Sequence, residues 1–164
     1  MSDIYFRRTS ITNPNGSIPG IITIGGVSWP TIERGAEYTF VRKGTYQVAM
    51  DHKNSSGRRG NSLTEGTSVS VPNAMFSLRC LRFTDPAIQT HLIHDALYDN
   101  HQALSGCIAP GESADFSGVY HSAEAMEQIF NALGGFEVGK VFTISVENNI
   151  RGNETRDQWI KRRA

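Results

Sequence analysis

The chain has 164 residues, 38% of them hydrophobic and 20% charged, which is the make-up of one soluble globular domain rather than of a disordered chain. Lys and Arg equal Asp and Glu at 16 each, so bulk charge makes no case for nucleic acid or an anionic membrane as partner. No run approaches the ~20 apolar residues of a membrane span, so membrane insertion is not expected.

Charge is uneven along the chain. Residues 1–82 carry ten Lys/Arg against five Asp/Glu, and residues 83–164 carry six against eleven. Complementary packing of the two halves within a single domain, 1–164, is the simplest reading. Sixteen glycines imply many turns and a β-rich fold.

In chain order, Ile4–Arg8 reads as a strand. Asn13-Pro14-Asn15-Gly16 is a turn cluster. Ile18 to Ile24 is rich in β-branched residues and reads as a strand with an irregular start at Pro19-Gly20. Gly25-Gly26 turns the chain. Val27–Arg34 contains Pro30, which points to an edge strand or a loop. Tyr38–Val41 is a short apolar stretch, and Thr45–Met50 alternates like a half-buried strand. Asp51 to Thr67 reads as an exposed loop. Val69–Val71 and Ala74–Phe83 are strand candidates, and Asp85–Thr90 suits a helical turn. Gln89–Leu97 reads as a buried strand carrying polar residues, and Asp99–Leu104 as a loop.

The clearest helix is Ala123–Leu133. Ser122 is a suitable N-cap, Glu124 supplies a first-turn carboxylate, and Met126, Ile129, Phe130 and Leu133 share one face. Gly134-Gly135 ends it. Lys140–Glu147 is a strong strand. Residues 148–164 form a polar tail whose Trp159 and Ile160 suit a short docking helix. The expected class is mainly β with one or two short helices.

The stretch richest in chemistry is Ile93-His94-Asp95, followed by Leu104-Ser105-Gly106-Cys107-Ile108. A cysteine nucleophile needs a base, and a nearby imidazole supplies one. The 13-residue step from His94 to Cys107 lets a strand deliver the histidine and a loop return the cysteine. Gly106 permits close approach of a substrate, and N–H groups around Cys107 suit an oxyanion. Asp95 or a backbone carbonyl is expected to orient the imidazole. Cys80 lies in the apolar run Leu78-Arg79-Cys80-Leu81 and reads as core. Both cysteines are expected to be reduced.

His91, His94, His101, His121 and Cys107 are the rival, a zinc ligand set. Neither His-Glu-x-x-His nor Cys-x-x-Cys is present, and a two-residue strand period turns His91 and His94 to opposite faces. No metal or other cofactor is expected.

The His94 and Ser105-Gly106-Cys107-Ile108 pattern resembles the L,D-transpeptidase catalytic domain, with its His-Gly strand and Ser-His-Gly-Cys-Val/Ile-Arg motif. Lys43-Gly44-Thr45-Tyr46-Gln47-Val48 resembles an upstream strand of that family. The order of helix Ala123–Leu133, Gly139 and strand Val141–Val146 is similar too. The likeness covers about residues 40–147 and extends to phage and bacterial proteins with a Gly-Cys-Ile motif. It implies a β-sandwich-like fold and acyl transfer on peptidoglycan stem peptides. On this sequence that assigns Cys107 as nucleophile and His94 as base, with Gly106, Asp95 and Ser105 around them.

This chain departs from the pattern at three places. Asp95 replaces a glycine, Ser105 stands where the family has a second histidine, and Ala109 replaces the arginine. Arg79 or Arg82 is the candidate to supply the missing substrate-binding charge. A phage-type peptidase is the preferred form. Met1 to Arg8 lacks the apolar run of a secretory signal, so synthesis in the cytoplasm is expected, with release or export by another factor. The alternative is a non-catalytic phage structural or binding protein on the same scaffold.

Overall fold

Burial alternates along the strands and gives the wall an inside and an outside. The computed structural model describes residues 1–8, 13–33, 41–53, 78–89, 91–95, 107–115 and 117–147. In β1 (Ile4–Arg8), Ile4, Phe6 and Arg8 are buried while Tyr5 and Arg7 are exposed. β2 (Ile18–Ile24) buries Ile18, Ile22 and Ile24 in the same rhythm. β3 (Val27–Glu33), β4 (Gly44–Lys53), β5 (Leu78–Phe83), β6 (Leu92–Ile93) and β7 (Ile108–Pro110) follow. A small hairpin, β8 (Ser113–Asp115) and β9 (Gly118–Tyr120), precedes helix α1 (Ser122–Ala132) and strand β10 (Val141–Glu147).

Eight strands close into a barrel in the order β1-β10-β4-β5-β6-β7-β3-β2, with β2 pairing back onto β1. β1–β10 and β6–β7 are parallel, and the other neighbours are antiparallel. The mainly β expectation holds, but the sandwich is corrected to a barrel. A sandwich needs two sheets facing each other. Here every strand of the large sheet has two partners, so one sheet wraps its own core. The apolar face of α1 (Ala125, Met126, Ile129 and Phe130) joins that core with Ile4, Phe6, Val48, Leu81, Ile93, Ile108 and Ile144. No helix among the described residues is long and apolar enough to cross a membrane.

Several local expectations change. β3 is neither an edge nor a loop: it pairs with β2 throughout and with β7 from Thr31 onwards. The Pro30 carbonyl accepts from the Gly111 N–H at 2.9 Å, so its N–H-less nitrogen faces the side where the β7 ladder ends. Asp51, His52 and Lys53 extend β4 rather than opening a loop. β6 is only 2 residues long, because the next ladder donor on β7 is Pro110, which has no N–H. Residues 54–77, 96–106 and 148–164 lie outside the described set, and with them most of the expected 51–67 loop, Val69–Val71, Ser105, Gly106 and the tail.

Ser122 is not the helix cap. His121 occupies that position at φ 58°, with no side-chain capping bond. Ser122 Oγ instead donates to the Pro110 carbonyl at 2.5 Å and ties α1 to β7. Gly135, at φ 100°, closes the helix by donating its N–H to the Phe130 carbonyl at 2.8 Å.

The β8–β9 hairpin was not anticipated, since 3-residue strands are too short to show alternation. Asp115 holds its turn, accepting from Ser117 N–H at 2.7 Å, Ser117 Oγ at 2.6 Å and Tyr120 Oη at 2.6 Å. The Ser117 and Tyr120 bonds pull the Asp115 pKa from 3.8 down to about 2. A depressed folded pKa means the support is whole above the ordinary carboxylate value and is lost as pH falls through about 2. An NMR titration of the Asp115 carboxyl should therefore centre near 2, and a midpoint at 3.8 would contradict the turn.

A Cβ on Gly111 would lie 2.6 Å from Val119 Cβ and 2.8 Å from the Tyr120 carbonyl oxygen. Gly111→Ala should cost about 1–3 kcal/mol through overpacking. Urea denaturation reads it, and an unchanged midpoint would mean the hairpin is not seated there.

Candidate active site

β6 delivers His94 and β7 begins just after Cys107. Their register is Ile93 opposite Ile108, and the His94 N–H donates to the Ile108 carbonyl at 3.0 Å. Ile93 and Ile108 belong to the core inside the barrel. Side chains alternate along a strand, so His94 and Cys107, one residue on and one residue back, both turn to the outer face. His94 stands beside Ala109, and Cys107 beside Leu92. The two candidates are thus diagonal neighbours on adjacent parallel strands. Strands about 4.8 Å apart with a rise of about 3.3 Å per residue put the Cα atoms of such neighbours about 8 Å apart.

The imidazole is anchored. His94 Nδ1 lies 2.6 Å from the Asp95 carbonyl oxygen. A carbonyl only accepts, so in the neutral ring Nδ1 carries the hydrogen and Nε2 keeps the lone pair. Of the two orienting groups the sequence left open, the bond recorded here is to a backbone carbonyl, and it belongs to Asp95 itself. This is the tautomer a general base needs, with Nε2 as the proton acceptor.

The surroundings are apolar. Cys107 is 5% exposed and His94 5%. Cys107 belongs to a second buried cluster with Ile32, Cys80, Leu92, Ala109 and Val119. Five of these six line the outer side of the barrel wall, and Val119 comes from the hairpin. Sequence reading missed Val119 and Ile32 as neighbours of the thiol, because the crossovers that bring them there leave no local pattern. The two cysteines form no disulfide.

The two candidate arginines part company. Arg82 shares the outer face with Cys80, opposite Leu92. Its Nε donates to Asp51 Oδ2 at 2.9 Å, and its other nitrogens donate to the Gln89 and His52 carbonyls at 3.3 Å. The hydrogen bond from Arg82 holds the Asp51 carboxyl below its ordinary pKa. Arg79 has the opposite parity. It lies over the Phe136 ring at 4.8 Å and 3.9 Å from Glu127, on the far face of β5 from Cys80. The structure therefore brings together His94, Asp95, Cys107 and, more distantly, Arg82, but not Arg79. Ser105 and Gly106 lie outside the described residues.

Among the described residues, no three His, Cys, Asp or Glu side chains are grouped as a metal site requires. Searches of this chain against family models, curated proteins and solved structures find no match.

Proposed function

We propose that this chain is a cysteine acyl-transfer enzyme acting on peptidoglycan stem peptides, in the form of a phage-type peptidase. The observation that carries the reading is the diagonal placement of Cys107 beside an imidazole whose Nδ1 is tied to the Asp95 carbonyl. The substrate class rests on the resemblance of residues 40–147 to the L,D-transpeptidase domain.

In this reading His94 Nε2 takes the thiol proton as Cys107 Sγ attacks a peptide carbonyl. The tetrahedral intermediate collapses to a thioester, and His94 returns the proton to the departing amine. Water, deprotonated by His94, then attacks the thioester and restores the thiol. Water as the acceptor makes the enzyme a peptidase, the form preferred here, whereas an amine acceptor would make it a transpeptidase.

One observation favours a second reading, a non-catalytic particle protein: the Cys107 thiol sits among Ile32, Leu92, Ala109 and Val119. Iodoacetamide labelling followed by peptide mass analysis separates the two. The enzyme predicts selective, pH-dependent modification of Cys107. Equal, slow labelling of Cys80 and Cys107 supports the scaffold.

A further inference from the structure

Arg79, which plays no part beside Cys107, stands in a setting of its own at the rim where β4 ends and β5 begins. Its register partner across the two strands is His52. Val48 and Met50 on β4, and Leu81 and Phe83 on β5, face the core. Alternation therefore sets His52 and Arg79 at the next inward positions, beyond the last core layer, and both are exposed. The turn after α1 brings Phe136 to the same rim. The Arg79 guanidinium lies over the Phe136 ring, 4.8 Å from its centroid, and the His52 ring meets Phe136 edge to face at 5.3 Å. The buried Phe130 ring backs Phe136 at 4.9 Å.

The donors of this guanidinium are unspent. Arg79 Nη1 is 3.9 Å from Glu127 Oε2, too far for a hydrogen bond, and the two side chains are 53% and 60% exposed. Among the described residues the guanidinium makes no hydrogen bond. Arg82, by contrast, spends its nitrogens on Asp51 and on the Gln89 and His52 carbonyls. Stacking on Phe136 sets the plane of the Arg79 fork and leaves its N–H groups to solvent. A planar fork held in that way matches a carboxylate or a phosphate at two points. We infer that this rim is an oxyanion-binding site. Arg79 grips the anion through two parallel N–H bonds, an N–H of His52 adds a third donor, and Phe136 is the floor that holds both donors in place. Glu127 is the protein's own competitor for the guanidinium. The site lies on the far face of β5 from Cys80 and is independent of the Cys107–His94 chemistry.

The test is an NMR titration of the full chain at constant pH and ionic strength with benzoate and, separately, with phenyl phosphate. The Phe136 ring signals report in every variant, and the Arg79 Nε–H reports wherever Arg79 is kept. Benzyl alcohol, which has the ring but no charge, is the control. Saturable shifts with a Kd on the order of millimolar are expected for the anions and none for the alcohol. Arg79→Lys keeps the charge but loses the fork, and should weaken binding by about fivefold. His52→Ala removes one donor and should weaken it by about threefold. Glu127→Gln removes the competitor and should tighten it by about twofold. All three positions are exposed, so the thermal midpoint should stay near that of the unaltered chain. Tighter binding of one anion names the head group the site takes, and either order supports the site. The inference is overturned if neither anion saturates, if benzyl alcohol shifts the same signals as far, or if Arg79→Lys binds as tightly as the unaltered chain.

Discussion

Cys107→Ala is expected to reduce product release from purified muropeptides by about a thousandfold or more, with the barrel intact. The size follows from the role: without the Cys107 sulfur there is no thioester at this position. His94→Gln should lose nearly as much, because an amide cannot accept the thiol proton although it fills similar space. The double variant should be hardly worse than either single one, since nucleophile and base act as a unit. Mass spectrometry of the digest reads all three. Roughly additive losses would mean the two residues do not work together.

Glu33→Ala is expected to destabilise the fold by about 3–5 kcal/mol. Glu33 and Arg8 face each other inside the barrel with side-chain exposures of 1% and 0%. Arg8 Nε donates to Glu33 Oε2 at 2.6 Å and a terminal nitrogen donates to Oε1 at 2.8 Å, a two-pronged pairing. Its remaining terminal nitrogen donates to the Val41 carbonyl at 2.9 Å, and the guanidinium lies 5.0 Å from the Phe6 ring centroid. Removing the carboxylate strands a buried cation, and the loss is a large share of a typical total stability of about 5–15 kcal/mol. Replacing both partners together, Arg8→Met with Glu33→Leu, should cost far less, because no charge is then left unpaired. Urea denaturation of the three variants distinguishes this from simple loss of packing, for which the double variant would be the worst.

That ion pair also shows where sequence reading ends. Ile4, Phe6 and Arg8 occupy alternate inward positions, yet arginine ordinarily marks the wet side of a strand. The distant Glu33 supplies the charge that offsets its burial, and no local pattern links residues 25 positions apart. The same limit explains the sandwich. Alternation within β1, β2, β4 and β10 reads alike for a sandwich and a barrel, and closure depends on pairing the start of the chain with β10. Strong local signals survived: the Gly25-Gly26 turn, the apolar face of α1 and the Gly134-Gly135 stop are where they were expected. Pro30 was misleading because its carbonyl still joins the sheet although its nitrogen cannot. At the candidate site, the spacing between His94 and Cys107 suggested a strand, a loop and a return. The return proved to be a parallel neighbour with both side chains outward. The orienting group needed coordinates, since any carbonyl can serve and none is visible in a sequence.

The most direct measurement is peptide mass analysis of the protein quenched in acid during turnover of purified muropeptides. The account predicts a stem-peptide acyl group on the peptide that carries Cys107, absent from Cys107→Ala, which releases no product. Products formed equally by wild type and Cys107→Ala, with no adduct on that peptide, would contradict it.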